Sequence, residues 1–291
     1  DTMEVPDYYD EMSVRLMKVL DTAGLAEKAR WKRIEMWTQV EELLIVAVCE
    51  NTVIHIFGSQ AEATTTSGLR SDVDCIYLSQ RTVLQDLQSW EPGSSAVLMI
   101  MDDTTPPGYV KLQQVFSDAP DPICNIQTDR LMLDRYGRSC LYNNSIYLKQ
   151  DKYPEHHGPA NTKIYSSSES NAFNSADHVF AFRCPSWPYT VSEWITRHRE
   201  HNWPSPETIF VIQQSGTLLV PVGHKSSPER HLEWRISLSY GEKILVWQFN
   251  STQYKCYVLL KMINKHYIKP MFGENVLTSY HWKTCMFYMI E

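Results

Sequence analysis

A chain of 291 residues, 43% of them hydrophobic, has enough apolar material for one large domain or two lobes and falls outside the disordered class. Thirty-four acidic against 27 basic side chains give a formal net charge of −7, which excludes a globally basic nucleic-acid binder and leaves only a local basic surface for such a partner. No apolar run reaches the ~20 residues that a membrane-spanning helix needs, and the acidic start "DTMEVPDYYDEM" lacks the apolar core of a secretory signal.

The pattern from about Tyr8 to Glu50 is helical, in two pieces broken near "DTAGL" (21–25). In the second piece Ile34, Trp37, Val40 and Leu44 share one side, and Lys28, Lys32, Glu35 and Gln39 share the other, the signature of a long amphipathic helix lying along a core. "NTVIHIFGS" (51–59) reads as a strand ending in a tight turn, and "SDVDCIYL" (71–78) as its neighbour. Residues 80–110 are expected to hold a helix and a further apolar run, and residues 117–172, rich in Pro, Ser, Asn and Asp, to be loop-heavy. "SADHVFAFRCPSWP" (175–188) is strand-like, "TVSEWITRHREHNWP" (190–204) reads as a helix, and "GTLLVPVGH" (216–224) as a strand. Beyond "LEWRISLS" (232–239) the segments "STQYKCYVLLKMINKHYI" and "VLTSYHWKTCMFYMIE" are helical. The expectation is an α+β protein: a mixed α/β lobe over 1–231 that includes the long helix, and the start of a helical lobe over 232–291.

Asp72 and Asp74 stand one residue apart within an apolar run. On a strand they project from the same face, ~6–7 Å apart at the backbone. Burying two like charges side by side is costly unless a cation compensates them, and hard divalent ions with oxygen ligands do so. The other reading is a solvated strand end. Gly58 and Ser59 just upstream add a turn whose backbone N–H groups and hydroxyl can cradle a phosphate. A phosphate cradle beside paired carboxylates is the layout of metal-dependent nucleotidyl transfer, which needs a third carboxylate from elsewhere. Asp177, in the apolar "SADHVFAF", is the best candidate.

"FGSQAEATTTSGLRSDVDCIYL", "GPANT" (158–162), "ADHVFAFRCPSWP", "LEWRISLSYGEK", "YKCYVLLK" and "LTSYHWKTCMFY" follow one another in this chain. In that order they resemble the male-abnormal-twenty-one superfamily, which includes cyclic GMP-AMP synthase and the cyclic GMP-AMP synthase-like receptors of invertebrates. The resemblance implies a bilobal nucleotidyltransferase with a mixed twisted sheet, a long spine helix and a helical second lobe. It implies a ligand-activated enzyme, with double-stranded RNA among the candidate activators, that joins ATP and GTP into a cyclic dinucleotide read by a downstream receptor in innate immunity. By position, Asp72, Asp74 and Asp177 match the catalytic and Mg²⁺ (or Mn²⁺) triad, and Gly58 and Ser59 the phosphate-gripping turn. Arg235 and Ser237 match the nucleobase pocket, Lys261 and Ser279 phosphate contacts, and Tyr280 the ring that stacks on a base. Lys28 and Lys32 lie on the helix where related enzymes touch nucleic acid, beside Glu27 and Glu35.

Two departures from the vertebrate pattern stand out. Where the vertebrate enzyme carries a His/Cys zinc insertion, "ILVWQFNSTQYK" joins Lys243 directly to Cys256. The seven cysteines are scattered with no CxxC pair, so no zinc site is expected, and the compartment is expected to be reducing, taken as the cytoplasm. The sequence also ends inside a predicted helix, so the helical lobe is expected to be truncated. Two other functions fit the same residues: a catalytically silent relative serving as a binding or scaffold module, and a linear, template-independent nucleotidyltransferase.

Overall fold

The computed structural model describes residues 5–47, 53–65, 71–146, 155–157, 159–165, 175–273 and 276–291. Residues 66–70, inside the stretch that joins Ser59 to Asp72, and Gly158 of "GPANT" lie outside them. The chain opens with α1 (Val5–Leu20), a π-helical turn over Asp21–Leu25, and α2 (Glu27–Ala47). The break falls on "DTAGL" because Gly24 adopts φ 91°, a left-handed conformation that a residue without Cβ takes cheaply. Trp37, Val40 and Leu44 of α2 pack against Ile54, Ile56, Val73, Cys75 and Ala176, and Ile34 is buried, as the periodicity predicts.

Twelve strands among the described residues join in one mixed sheet. They are β1 (Val53–Phe57), β2 (Val73–Ser79), β3 (Thr82–Leu84), β4 (Ala96–Ile100), β5 (Tyr109–Gln114), β6 (Leu131–Leu133), β7 (Ser139–Leu141), β8 (Glu155–His157), β9 (Ala160–Ile164), β10 (Ser175–Cys184), β11 (Thr217–Val220) and β12 (Glu233–Ser237). The order is β1-β2-β10-β11-β12-β5-β4-β3, with β9 also on β10, β8 on β9, β7 on β5 and β6 on β7. β2–β10 and β3–β4 run parallel and the other pairs antiparallel. The remaining helices are α3 (Gly58–Ala61), α4 (Glu193–Thr196), α5 (Pro206–Ser215), α6 (Ser239–Trp247), α7 (Ser251–Ile263), α8 (Lys269–Phe272) and α9 (Ser279–Ile290). The protein is therefore α+β with a large mixed sheet. No helix among the described residues is long and apolar enough to cross a membrane.

Three expectations need correction. Residues 80–95 hold no long helix: Val83 and Leu84 pair in parallel with β4, and Asp86 caps a single 3₁₀ turn at Leu87–Ser89. Residues 190–204 form no long helix: a 3₁₀ turn over Tyr189–Val191 is followed by the single turn α4, which ends where Arg197 takes ψ 144°. The next regular helix, α5, begins after Ser205, whose hydroxyl accepts from the Thr208 N–H, with Pro206 at its first position. Finally, β12 lies between β11 and β5, so the sheet continues past residue 231 into the segment assigned to the helical lobe.

Polar anchors fix α2 to the elements that follow the sheet. The Arg30 guanidinium, 2% exposed, donates to the carbonyls of Val246, Trp247 and Phe249 at 2.7, 3.1 and 2.7 Å, capping the C-terminal end of α6, and lies 4.3 Å from the Tyr254 ring. Arg33 donates to the Thr65 carbonyl at 2.6 Å and to the Tyr254 hydroxyl at 2.8 Å. Arg30→Met removes the guanidinium donors to the Val246, Trp247 and Phe249 carbonyls, of which Val246 still accepts from the Phe249 N–H. It is expected to cost about 3 kcal/mol, read as a lower urea midpoint at unchanged slope.

Candidate active site

The site grows from the pairing of β2 with β10. In this parallel register Ala176 faces Val73, and Asp177 faces Asp74 across one strand spacing. Two carboxylates distant in sequence thus become neighbours in the sheet, and Asp72, just before β2, completes the acidic group. Asp72 accepts a short hydrogen bond from the Ser175 hydroxyl at the start of β10. Asp177 Oδ1 accepts from the Thr162 hydroxyl of β9 at 2.6 Å, which puts the end of "GPANT" beside the acid it precedes in sequence.

The turn between β1 and α3 closes over this group. β1 pairs antiparallel with β2 so that Phe57 faces Asp74, and Gly58 follows with φ 71°. A Cβ built on Gly58 falls 1.7 Å from Asp74 Oδ2. Glycine is required here twice over, by its left-handed backbone and by the approach of a carboxylate oxygen. The Ser59 hydroxyl accepts from Lys261 Nζ of α7 at 2.7 Å, and the same ammonium donates to Thr64 Oγ1 at 2.9 Å and to its carbonyl at 3.2 Å. Burial pushes the Lys261 pKa down to about 8, opposed by the negative charges of Glu62 and Asp74.

Asp74 is electrostatically stressed. Burial, and then the charges of Asp177, Glu62 and Asp72, push its pKa up to about 7 against the opposing pull of Lys283. Lys283 Nζ of α9 donates to Glu62 Oε1 at 2.5 Å and to Glu242 Oε2 at 3.2 Å. Burial works to lower its pKa, but these two carboxylates hold it above the ordinary lysine value.

Two openings meet at Asp74. The larger, about 570 Å³, is lined by Ser59, Thr65, Ser71, Asp72, Asp74, Lys261, Asn264, Lys265, Lys269 and Ser279. The smaller, about 240 Å³, is lined by Gly58, Glu62, Asp74, Arg235, Ser237, Glu242 and Lys283 among others. The fold therefore brings together Gly58, Ser59, Asp72, Asp74, Arg235, Ser237, Lys261 and Ser279. Asp177 lines neither opening as its carboxylate stands. Tyr280, 58% exposed, lines a separate aromatic opening of about 210 Å³ with Trp187, Trp194 and Trp203, which touches the smaller cleft through Glu242. Lys28 and Lys32 are exposed on α2 and line none of these openings. Lys225 and Arg230 lie in the loop between β11 and β12, whereas Lys265 and Lys269 line the larger cleft.

Sequence reasoning missed Thr162, Glu62, Glu242 and Lys283. All four sit inside quoted motifs, and Glu62 lies only three residues beyond Ser59. Their charge and spacing alone did not point to one another.

Among the described residues, no three His, Cys, Asp or Glu side chains are already gathered tightly enough to hold an ion. The donor set suits a hard cation nonetheless: carboxylates of Asp72, Asp74 and Asp177 on adjacent backbone positions, a raised Asp74 pKa that a cation would relieve, and a glycine leaving space for close approach. No protein-family model matches the sequence.

The raised Asp74 pKa sets a sign for stability. Between the unfolded value of 3.8 and about 7 the folded state holds an extra proton, so this group's contribution to stability falls as pH rises through that window. Asp74→Asn, which stays neutral, is expected to raise the melting temperature in EDTA by a few degrees at pH 8. The difference should close near pH 4. An unchanged or lower melting temperature at pH 8 would show that the carboxylate is not stressed in the metal-free fold.

Proposed function

We propose that this protein is a metal-dependent nucleotidyltransferase with the bilobal architecture of the cyclic GMP-AMP synthase-like receptors, joining ATP and GTP into a cyclic dinucleotide when a ligand, such as double-stranded RNA, activates it. The observation that carries the reading is the register that sets Asp177 opposite Asp74, with the Gly58–Ser59 turn and Lys261 bordering the same carboxylate.

Asp72, Asp74 and Asp177 would hold Mg²⁺ or Mn²⁺. When bound, such ions polarise the reacting phosphate and lower the pKa of the attacking hydroxyl. The chain's own groups have separate tasks. The Ser59 hydroxyl and the backbone of its turn hydrogen-bond the phosphate oxygens, and the Lys261 ammonium neutralises their charge. Ser279, at the first position of α9, lines the same larger cleft and offers its hydroxyl to the phosphates. Arg235 and Ser237, at the end of β12, offer donors to a nucleobase in the smaller cleft. Tyr280 can stack on a base only after moving from its present aromatic surroundings toward the carboxylates.

A second reading, a silent binding module, is favoured by one observation: Asp72 and Asp177 are held by Ser175 and Thr162 rather than gathered around a common point. Turnover separates the two. With labelled ATP and GTP, Mg²⁺ and double-stranded RNA, the enzyme reading expects a cyclic product, and each of Asp72→Asn, Asp74→Asn and Asp177→Asn is expected to cost at least ~100-fold in rate. Binding of Mg·ATP without product in a panel of double-stranded ligands would support the silent module, and a linear product would identify a template-independent transferase.

The Lys261 pKa adds a pH dependence. Its charge is present below about 8 and lost above, so affinity for Mg·ATP is expected to fall as pH rises from 7.5 to 9, and the fall should disappear in Lys261→Met. Equilibrium dialysis with labelled ATP reads both.

A further inference from the structure

We infer that Lys283 is a positioning residue that sets the register of α9 against the phosphate-gripping turn, and so fixes the spacing of Ser279 from Ser59. This rests on the nucleotidyltransferase reading of the cleft.

Lys283 lies one helical turn beyond Ser279, so the two share a face of α9. Its ammonium reaches Glu62 at 2.5 Å and Glu242 at 3.2 Å. Glu62 is 2% exposed and directly follows α3, the turn that carries Gly58 and Ser59. Glu242 sits in the first turn of α6, five residues beyond Ser237. One buried cation therefore ties together the three elements whose residues line the two clefts: the turn after β1, the junction of β12 with α6, and the start of α9.

Apolar packing alone does not supply this register. Met286 is buried in one cluster with Phe249, Tyr254, Tyr257 and Val258, against which Phe287 packs. Such burial is non-directional, and among the described residues the other polar contacts of α9 lie at its two ends, from the Tyr257 hydroxyl to the Ser279 carbonyl at 3.5 Å and from Arg197 and Arg199 to Glu291. An ammonium held at hydrogen-bond distance by two carboxylates from different elements has one satisfactory geometry, and losing it leaves a buried charge uncompensated. Burying Lys283 and Glu62 away from water is costly, and no apolar requirement of the core calls for it. What the pair adds is direction. It holds α9 where Ser279 lines the larger cleft together with Ser59 and Lys261. A Lys283 that failed to hold this register would leave the phosphates without the Ser279 contact.

The test compares wild type, Lys283→Met, Lys283→Arg and Glu242→Gln, in turnover of ATP and GTP and in Mg²⁺-dependent binding of a fluorescent ATP analogue. Lys283→Met is expected to raise KM and the dissociation constant by about 10-fold, because small displacements of a positioning group weaken grip far from the altered residue. Lys283→Arg, which keeps the charge, is expected to recover most of that loss, and Glu242→Gln, which keeps the Glu62 contact and folds more readily, to raise KM by about 3-fold. A lower melting temperature with KM and binding unchanged, in Lys283→Met or, where that variant fails to fold, in Glu242→Gln, would reduce Lys283 to a structural ion pair and overturn the inference while leaving the enzyme reading intact. Wild type that neither binds the analogue nor turns over would overturn both.

Discussion

Carboxylates crowded on neighbouring strands are the constraint to which the rest of the cleft answers. Parallel pairing of β2 and β10 sets Asp177 opposite Asp74, with Asp72 at the mouth. A slip of one residue would turn the side chains of one strand to the other face and separate the acids, so the apolar alternation of both strands also fixes the acidic group. Val73, Cys75 and Ala176, buried beneath α2, are what hold that register. The charges then need company. A carboxylate pushed up to about 7 is one that a cation would relieve, and among the described residues Lys283 pulls against that shift.

Those cations come from helices late in the chain. Lys261 of α7 reaches the hydroxyl of Ser59, and Lys283 of α9 reaches Glu62, so both ends of the short turn after β1 are held by ammonium groups more than 200 residues away in sequence, with separations of 202 and 221. Arg30 and Arg33 of α2 secure the other side, at the end of α6 and at Thr65. The turn that would grip a phosphate is thus a small loop clamped from three directions. Its glycine cannot be replaced without displacing Asp74, because the two are in contact. Catalytic competence on this reading is a property of long-range packing, although each motif is short.

How far the sequence revealed this depends on the range of the interactions involved. The kink at Gly24, the buried side of α2, the strands holding Asp74 and Asp177 and the helices α7 and α9 follow from local periodicity and were legible. The segments 80–95 and 190–204 misled because their helical spacing was overridden by partners elsewhere. Val83 and Leu84 gain more as edge partners of β4, and the Arg199 side chain satisfies the Trp194 and Arg197 carbonyls where a helix would otherwise have continued. Within the cleft, the three acids and the Gly-Ser turn could be found because they match the residue types and spacing that the proposed nucleotidyl transfer would need. Glu62, Glu242 and Lys283 could not, since only the tertiary fold shows that a glutamate after the turn and a lysine in the last helix are partners. Tyr280 is the opposite case: its motif marks it for the site, yet its exposed ring lines the neighbouring opening.

The most direct test is to locate Mn²⁺ by anomalous scattering in crystals grown with a non-hydrolysable ATP analogue. The account predicts manganese at direct coordination distance from Asp74 and Asp177, with the analogue's phosphates against Ser59 and Lys261. Manganese absent from this cleft, with Asp72 still held by Ser175 and Asp177 by Thr162 while the analogue binds elsewhere, would contradict it.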